Sequence, residues 1–364
     1  MSVALTEASE FDCALVGPAL NEVAGSGPLS LQPLGGGRNS RVYRVDRSDR
    51  NDAEVYVAKI YSDTDPKSTC DRRGREFAAL RFLWNNDVRC IPEPIATFPE
   101  QSLSILRFVE GTPLTRDDVK QRDVEALVEF LIQLDRLKLQ TASFALGAAS
   151  EACFSLDALA ESIRARLAHL QVAADLADTR AHERLQLFLA GSIRPVLARA
   201  FESAAALQRE RGLEIDSVLA RESRTLSPSD FGFHNALRRP DGSLVFVDFE
   251  HFGWDDPAKM VSDFLLHPAL PLSVDLRRQF MQSAIARHPA CTELDWRVPL
   301  AFPLYAIKWC TILLNEFVPE QRQRRAFALH RKGDSEAVLL EQLAKAKSLL
   351  ESATEERGEF PYAA

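Results

Sequence analysis

Three polar residues in the second half of the chain have the types and spacing of a metal-assisted reaction centre. Asp230 and Asn235 lie five positions apart in the loop SPSDFGFHNAL, and Asp248 ends the strand pattern LVFVDF. The turn Pro240-Asp241-Gly242 between them predicts a hairpin, which would bring the three side chains to one end. Carboxylate and amide oxygens are ligands suited to Mg²⁺. An Asp-x4-Asn pair arises by chance about once in a chain of this size, so the prediction depends on the hairpin setting.

A second candidate is Lys59, which lies inside the apolar strand pattern VYVAKIY. A lysine with apolar neighbours either extends to solvent from an edge strand or needs an acidic partner. Glu76 opens the next helical pattern 17 residues later and is the expected partner. Such a Lys–Glu pair would hold an ammonium group toward nucleotide phosphates.

A third candidate is the glycine-rich segment between two strand patterns, LQPLGGGRNSRVYRV. Glycines at Gly35, Gly36 and Gly37 would let the backbone approach phosphate oxygens, and Asn39 and Ser40 would add polar donors. Three glycines between strands also fit an ordinary tight turn. The segment alone therefore leaves both interpretations open.

Alternation and helical periodicity place these candidates on distinct elements. Residues 29–57 predict two strands and a hairpin, followed by the helix GREFAALRFLWNND and two further short strands, in the order strand, strand, helix, strand, strand. Residues 112–212 carry apolar residues at three- and four-residue intervals, which indicates helices. A small hairpin then interrupts the helical part, and residues 257–352 again predict helices.

Composition limits the functional classes. A chain of 364 residues with 46% hydrophobic and 26% charged residues is long enough for two lobes and has ordinary globular composition. The net charge of −8 and the lack of a Lys/Arg block argue against a nucleic-acid partner. An acidic N-terminus, the lack of a long apolar run and six scattered cysteines predict a cytoplasmic protein with no membrane contact.

Taken in order, the glycine loop, strand lysine, helix glutamate, Asp-x4-Asn loop and strand-end Asp resemble the aminoglycoside phosphotransferase and choline kinase superfamily of kinase-like enzymes. The resemblance covers about residues 29–350, and DFEHFGW is most similar to the choline and ethanolamine kinase version of its motif. It implies an α+β, bilobal protein-kinase-like fold, with a small β-rich N-lobe and a large, mainly helical C-lobe. The implied boundaries are a helical extension at 1–28, an N-lobe at 29–106, a hinge at 107–111, and a C-lobe at 112–364 with a catalytic hairpin at 225–250.

The resemblance also implies a role for each candidate residue in an ATP- and Mg²⁺-dependent phosphoryl transfer to a hydroxyl of a small molecule. Asp230 would orient the acceptor hydroxyl and take its proton, and Asp263 would brace the loop that carries Asp230. The ATP-binding residues would be Gly35, Gly36, Gly37, Asn39, Ser40, Lys59, Glu76 and the backbone of Arg107 and Val109, and the Mg²⁺ ligands would be Asn235 and Asp248. The acceptor would be an amino alcohol, a sugar or an amino sugar, which the sequence does not distinguish.

One departure from the family pattern leaves an alternative function open. Family members have His-x-Asp at the catalytic loop, whereas this chain has Pro228-Ser229-Asp230. The alternative is a catalytically weak or inactive nucleotide-binding pseudokinase or scaffold. A protein kinase is excluded, because Asp255-Asp256-Pro257 follows Asp248 within nine residues and leaves no room for an activation segment.

Four aromatic or imidazole side chains near these motifs have a structural and a functional interpretation. We expect His234 and His251 to be hydrogen-bonding structural groups rather than bases. Trp254 and Trp309, together with the acidic Glu316, could line a pocket for a cationic acceptor, but helical spacing favours Trp309 as a core residue. Asp255 and Asp256 could contact the substrate or cap a helix before Pro257, and the cap is favoured.

Overall fold

The computed structural model describes residues 9–35, 40–47, 54–62, 71–177, 179–287, 293–322, 336–354 and 360–362. These residues form two compact units. We call the first, which contains the residues up to Pro113 and Asn235–His251, the N-terminal unit. The second, which contains Leu114–His234, Phe252–Arg322 and the described residues after 335, is the helical unit.

Up to residue 107 the described chain has five β-strands and two helices, and from residue 121 onward it is mainly helical. The strands are β1 (Leu29–Leu34), β2 (Ser40–Arg47), β3 (Tyr56–Tyr61), β4 (Pro94–Phe98), β5 (Leu103–Arg107), β6 (Thr112–Pro113), β7 (Thr225–Ser227), β8 (Ala236–Arg238), β9 (Leu244–Phe246) and β10 (Gly253–Asp255). The helices are α1 (Glu10–Ala24), α2 (Arg72–Asn85), α3 (Gln121–Leu137), α4 (Leu156–Asp175), α5 (Arg180–Phe188), α6 (Arg194–Glu210), α7 (Pro257–Leu266), α8 (Val274–Arg287), α9 (Leu294–Leu313) and α10 (Glu336–Thr354).

The N-terminal unit contains a five-stranded antiparallel sheet in the order β1-β2-β3-β5-β4. Among the described residues three strands precede α2, so the prediction of two strands before this helix was one strand short. The glycine-rich segment joins two paired strands, with Leu34 opposite Val42.

Helix α1 packs on this sheet as part of its core. Val16 and Leu20 are buried in one cluster with Tyr43 and Val45 of β2. The buried carboxylate of Asp12 accepts hydrogen bonds from the Tyr43 hydroxyl (2.6 Å) and the Arg41 guanidinium (3.0 Å). The predicted N-terminal helical extension is therefore tied to the sheet by both apolar and charged contacts.

The predicted hairpin is present, with β8 and β9 paired through Leu237 and Val245. Gly242 in its turn has a φ of +86°, a conformation that glycine adopts without steric cost. The contacts group this hairpin with the N-terminal unit rather than with the helical part, because β6 pairs with β8 and the Phe246 amide donates to the Cys90 carbonyl (2.8 Å).

The helical unit is built around α9, which contacts α7, α4, α6 and α10. Within the described part of the chain, one helical stretch, Leu294–Phe317, is long and apolar enough to span a membrane by length and composition alone. Within this stretch, the most apolar segment of 18 residues is 72% buried. Such burial is typical of the central helix of a soluble domain, which is hydrophobic all round.

Candidate functional site

Lys59 lies in the interior of β3, and its ammonium group is surrounded by carboxylates of the N-terminal unit. Nζ is 2.7 Å from Glu76 Oε2, 2.6 Å from Asp248 Oδ1 and 3.7 Å from Glu250 Oε2. The predicted Lys59–Glu76 ion pair is thus confirmed. Burial lowers the pKa of Lys59, but Asp248 and Glu76 outweigh it and hold this pKa well above its usual range.

Both carboxylate oxygens of Glu76 are fixed by neighbours. Oε2 accepts the hydroxyl of Tyr61 (2.6 Å) as well as the ammonium of Lys59. Oε1 accepts the backbone amide of Phe249, the residue after Asp248 (3.1 Å). Glu76 therefore joins strand β3, helix α2 and the segment after β9, and it holds Lys59 in one orientation.

Asp248 lies just after β9 in a left-handed backbone conformation, with φ of +68°. Non-glycine residues rarely adopt this conformation, and such strain is concentrated at functional sites. Burial raises the pKa of Asp248 to about 6, with Glu250 and Glu76 adding to the increase and Lys59 opposing it. Burial and the two neighbouring carboxylates therefore disfavour the charged form of Asp248 more than Lys59 favours it.

The chemistry of this cluster suits a divalent cation. Glu76, Asp248 and Glu250 offer carboxylate oxygens that lie within 4.8 Å of one another, and Mg²⁺ prefers such oxygen ligands. Three carboxylates share the ammonium of Lys59, and Glu250 also lies 4.0 Å from the Arg72 guanidinium and 3.3 Å from His251 Nε2. The carboxylates still outnumber the Lys59 and Arg72 cations, so a bound cation would offset the remaining negative charge. Glu250 was missed by the sequence analysis, although an acidic residue two positions after a strand-end Asp was a signal for it.

Asn235 is adjacent to this cluster through the hairpin, since its carbonyl accepts the amide of Val247 (2.9 Å). That hydrogen bond places the start of β8 beside the end of β9. Sharing of one ion by the Asn235 and Asp248 side chains stays a prediction.

The glycine-rich segment lies partly outside the described residues. Gly35 is exposed at the end of β1, and Ser40 is buried at the start of β2. Gly36, Gly37 and Asn39 fall outside the part of the chain that the structure describes. The phosphate-binding role of all five residues stays a prediction.

Arg107 ends β5 at the start of the predicted hinge. Its backbone amide donates to the Glu93 carbonyl (2.8 Å), and its guanidinium pairs with Glu54 (2.9 Å) and Glu93 (3.4 Å). Because that amide is already engaged within the protein, a base contact through the Arg107 amide would require this bond to break. A contact through the Arg107 carbonyl or through Val109 stays a prediction.

Asp230 belongs to the helical unit, where it follows β7 in a tight turn. Its amide donates to the Pro228 carbonyl (2.9 Å), and Ser229 between them has a φ of +67°. Partial burial raises the pKa of the Asp230 carboxyl, but hydrogen bonds from His234 and His267 outweigh it and hold this pKa well below its usual range. The side chain is therefore a carboxylate at neutral pH.

His234 is a hydrogen-bonding group, as expected, and its position depends on a neighbouring glycine. Its Nε2 lies 3.2 Å from Asp230 Oδ1. A Cβ atom at Gly232 would approach His234 Nδ1 to 2.8 Å, so any larger residue there would displace the ring. His267 was missed by the sequence analysis, because it lies 37 positions from Asp230 and no local motif marks it.

Lys259 of α7 supports the loop that carries Asp230. Its buried ammonium contacts Asp255 Oδ2 (2.8 Å), Asp263 Oδ2 (2.9 Å) and the Ser229 hydroxyl (2.9 Å). Burial raises the pKa of Asp255 to about 6, although Lys259 opposes the increase. Asp263 was expected to brace the loop, and its described contact with the loop runs through Lys259.

The two tryptophans considered for an acceptor pocket are buried in the helical unit. The indole N–H of Trp309 donates to Asp263 Oδ1 (2.8 Å), and that of Trp254 donates to the Ser143 carbonyl (3.0 Å). Both therefore serve as core residues in the described structure. The expected cap is also present, since Asp256 accepts the Ala258 amide (2.8 Å) at the start of α7.

Comparisons with solved structures show the kinase-like fold. An ethanolamine kinase from Plasmodium vivax is 14% identical, with a TM-score of 0.60 over 95% of this chain and 89% of that chain. A choline kinase from Streptococcus pneumoniae is 13% identical, with a TM-score of 0.59 over 94% of this chain and 100% of that chain. An ADP-bound aminoglycoside phosphotransferase is 15% identical, with a TM-score of 0.54 over 94% of this chain and 99% of that chain.

The fold class predicted from the sequence is confirmed by these similarities, together with the β-sheet of the N-terminal unit and the helices of the other. No curated protein sequence matches the chain. Residues 30–259 match the model of the family described as "Phosphotransferase enzyme family". This match covers more than half of the sequence, and it shows that the chain belongs to the phosphotransferase enzyme family.

Proposed function

We propose that this protein transfers the γ-phosphoryl group of ATP to a hydroxyl of a small molecule, with Mg²⁺ as the metal ion. The observation that carries the proposal is the buried ammonium of Lys59 among Glu76, Asp248 and Glu250. The carboxylates of this cluster outnumber its cations, and Asp248 is 34% exposed. A metal ion bound together with polyphosphate would supply the missing positive charge and give Lys59 an anionic ligand.

The residues of the N-terminal unit would bind and hold the nucleotide. Lys59, fixed by Glu76, would bind phosphate oxygens, and Asp248, Asn235 and Glu250 would hold Mg²⁺. When bound, Mg²⁺ neutralises charge on the phosphate oxygens. The glycine-rich segment would cover the phosphates through backbone amides, and the hinge backbone near Val109 would contact the base.

Asp230 would serve the acceptor. In the reaction the acceptor hydroxyl oxygen forms a bond to the γ-phosphorus, the bond from that phosphorus to the β,γ-bridging oxygen breaks, and the hydroxyl proton passes to an Asp230 carboxylate oxygen. The low pKa of Asp230 keeps the group ready to accept a hydrogen bond from the hydroxyl at neutral pH. Phosphoryl transfer depends mainly on positioning and charge neutralisation, so a weakly basic carboxylate suffices.

The acceptor classes follow from the similar proteins. The structures include choline and ethanolamine kinases and phosphotransferases for aminoglycosides, so amino alcohols, sugars and amino sugars form the substrate panel. We place the reaction in the cytoplasm, with no nucleic-acid or membrane partner, on the net charge of −8 and the burial of the apolar helix.

The test is phosphate transfer from ATP to each member of that panel. Wild type should phosphorylate at least one acceptor, Asp230→Asn should lose transfer by about a hundredfold or more while it keeps ATP affinity, and Lys59→Ala should weaken ATP binding. Asp275→Asn is the control, because this carboxylate is 94% exposed in the helical unit. Binding of Mg-ATP without transfer to any acceptor would instead favour a nucleotide-binding scaffold.

A further inference from the structure

Two histidines from different elements converge on one oxygen of Asp230. His234 Nε2 lies 3.2 Å and His267 Nε2 lies 3.0 Å from Asp230 Oδ1. The two imidazole rings are stacked, with centroids 3.7 Å apart and planes inclined by 6°. His234 belongs to the loop itself, whereas His267 follows the last residue of α7.

The tautomer of His267 is set by a backbone hydrogen bond. The amide N–H of Ala269 donates to His267 Nδ1 (3.2 Å). Nδ1 must therefore carry the lone pair, so that a neutral imidazole carries its hydrogen on Nε2. That hydrogen points at the Asp230 carboxylate, and His267 donates to it without first being protonated.

This arrangement does not suit a metal ion, although two histidines and a carboxylate are common ligands. The planes of the stacked rings are nearly parallel, so the lone pairs of the two Nε2 atoms would not converge on one point. A metal bound at His267 Nε2 would also need a hydrogen on Nδ1, where the ring accepts the Ala269 amide. The cluster is therefore a hydrogen-bonded clamp on Asp230.

The orientation of His267 is fixed by the core of the helical unit. Its ring lies edge-on to Trp309, with centroids 4.7 Å apart and planes at 79°. Trp309 in turn donates its indole N–H to Asp263, which pairs with Lys259.

Lys259 of this network also contacts the loop directly, at the residue before Asp230. Lys259 donates to the hydroxyl of Ser229, the residue before Asp230, and Ser229 donates to the Ser150 carbonyl (3.0 Å). Helix α7 therefore holds the loop at two consecutive positions, through Lys259 near its start and His267 at its end. Position 228 is proline and has no side-chain donor to contribute.

We propose that His267 is the positioning residue for Asp230, supplying from the end of α7 the support that the loop lacks at position 228. The expected effect of His267 on kcat rests on the proposed function. The claim that His267 orients the Asp230 carboxylate rests only on the geometry of these two residues. His267 acts on the acceptor only through the carboxylate that it orients.

The kinetic test compares His267→Leu with His267→Gln. Leucine removes the N–H donor, and glutamine keeps an amide N–H near the position of Nε2. We expect His267→Leu to lower kcat by about 10- to 100-fold, since small displacements of a reacting group have costs of this order, with KM for ATP within about twofold. His267→Gln should recover most of the lost kcat.

A matched control is His182→Leu, which also removes a buried histidine of the helical unit. His182 packs edge-on against Phe317, with centroids 5.4 Å apart, and its Nδ1 contacts the Thr179 hydroxyl. This variant should keep kcat within about twofold. An unchanged kcat in His267→Leu, a change confined to KM, or equal losses in His267→Leu and His267→Gln would each overturn the proposal.

A second measurement needs no acceptor and separates this inference from the proposed function. Nitrogen-15 NMR of the wild-type histidine rings at pH 7 should show His267 neutral, with hydrogen on Nε2 and none on Nδ1, and Asp230→Ala should perturb the Nε2 signal. The opposite tautomer, or a signal insensitive to Asp230→Ala, would refute the clamp. If wild type transfers phosphate to no acceptor, the proposed function fails, and this NMR result still decides the clamp.

Discussion

Replacing Lys59 with methionine should destabilise the N-terminal unit, because three carboxylates would lose the cation that they share. Methionine matches the length of the lysine stem, so the change removes mainly charge. The side chains of Lys59, Glu76 and Glu250 are 7%, 2% and 3% exposed, whereas that of Asp248 is 34% exposed. Water screens the Asp248 contact, and the Lys59–Glu76 pair should dominate the effect.

The expected magnitude follows from the burial of that pair. Two unit charges about 4 Å apart attract by about 4 kcal/mol at an effective dielectric constant of about 20, and removal of one partner of a buried pair costs about 3–5 kcal/mol. We expect Lys59→Met to lower the free energy of unfolding by about 3 kcal/mol and Glu76→Gln by about 2 kcal/mol, since Lys59 would keep Asp248 and Glu250 as partners. The double variant should lose about 3 kcal/mol, a coupling of about 2 kcal/mol.

Amide hydrogen exchange is the suitable assay. A chain with two compact units need not unfold in one step, so peptides from β3 and α2 should be followed by mass spectrometry. Asp46→Asn is the control, because its pair with Arg44 (2.8 Å) lies near the surface and should contribute less than about 1 kcal/mol. Two results would refute the reasoning. One is a loss in the double variant that equals the sum of the Lys59→Met and Glu76→Gln losses to within about 0.5 kcal/mol. The other is a Lys59→Met loss no larger than that of Asp46→Asn.

Four further outcomes are expected. Lys259→Met should lower the stability of α7 to hydrogen exchange by about 3 kcal/mol, because Asp255 would keep a buried unpaired carboxylate; a loss under about 1 kcal/mol would contradict this. Lys308 and Arg166 lower the pKa of Glu151 to about 2 against the opposing effect of burial. The contribution of this carboxylate to the free energy of unfolding is therefore complete above pH 4.5 and is lost as the pH falls toward 2. Glu151→Gln should therefore cost about 1 kcal/mol at pH 7, allowing for the 44% exposure of this side chain, and the wild-type and variant stability curves should converge in acid; parallel curves would argue against the assignment. Asp248→Ala should abolish the gain in ATP affinity that Mg²⁺ gives, as measured by calorimetry, and equal affinities in wild type and variant would count against a metal role. Pro228→His should leave kcat unchanged, since Asp230 already has two histidine neighbours, and an increased kcat would show that the native loop is poorly supported.

Local patterns in the sequence determined the elements that carry the site. Alternating apolar residues around Lys59 predicted a buried strand, and a strand lysine with apolar neighbours required an acidic partner, which Glu76 supplies at 2.7 Å. The Pro-Asp-Gly turn predicted the hairpin before Asp248, and Asp255-Asp256 before a proline predicted a helix cap, which Asp256 forms. The hairpin and the helix cap depend on neighbours within a few residues, and the ion pair depends on a charge that a buried strand cannot leave unpaired. Both kinds of signal can be read directly from the sequence.

Tertiary structure alone decided which distant side chains complete the Asp230 cluster in the helical unit and the Lys59 cluster in the N-terminal unit. His267 reaches Asp230 because α7 ends beside the loop that carries Asp230 and Trp309 of α9 packs against the His267 ring. Glu250 joins Lys59 because the backbone turns through a positive φ at Asp248. These contacts depend on how the helices pack and where the strands end. Burial across the whole unit sets both, and no local sequence pattern near these residues signals it.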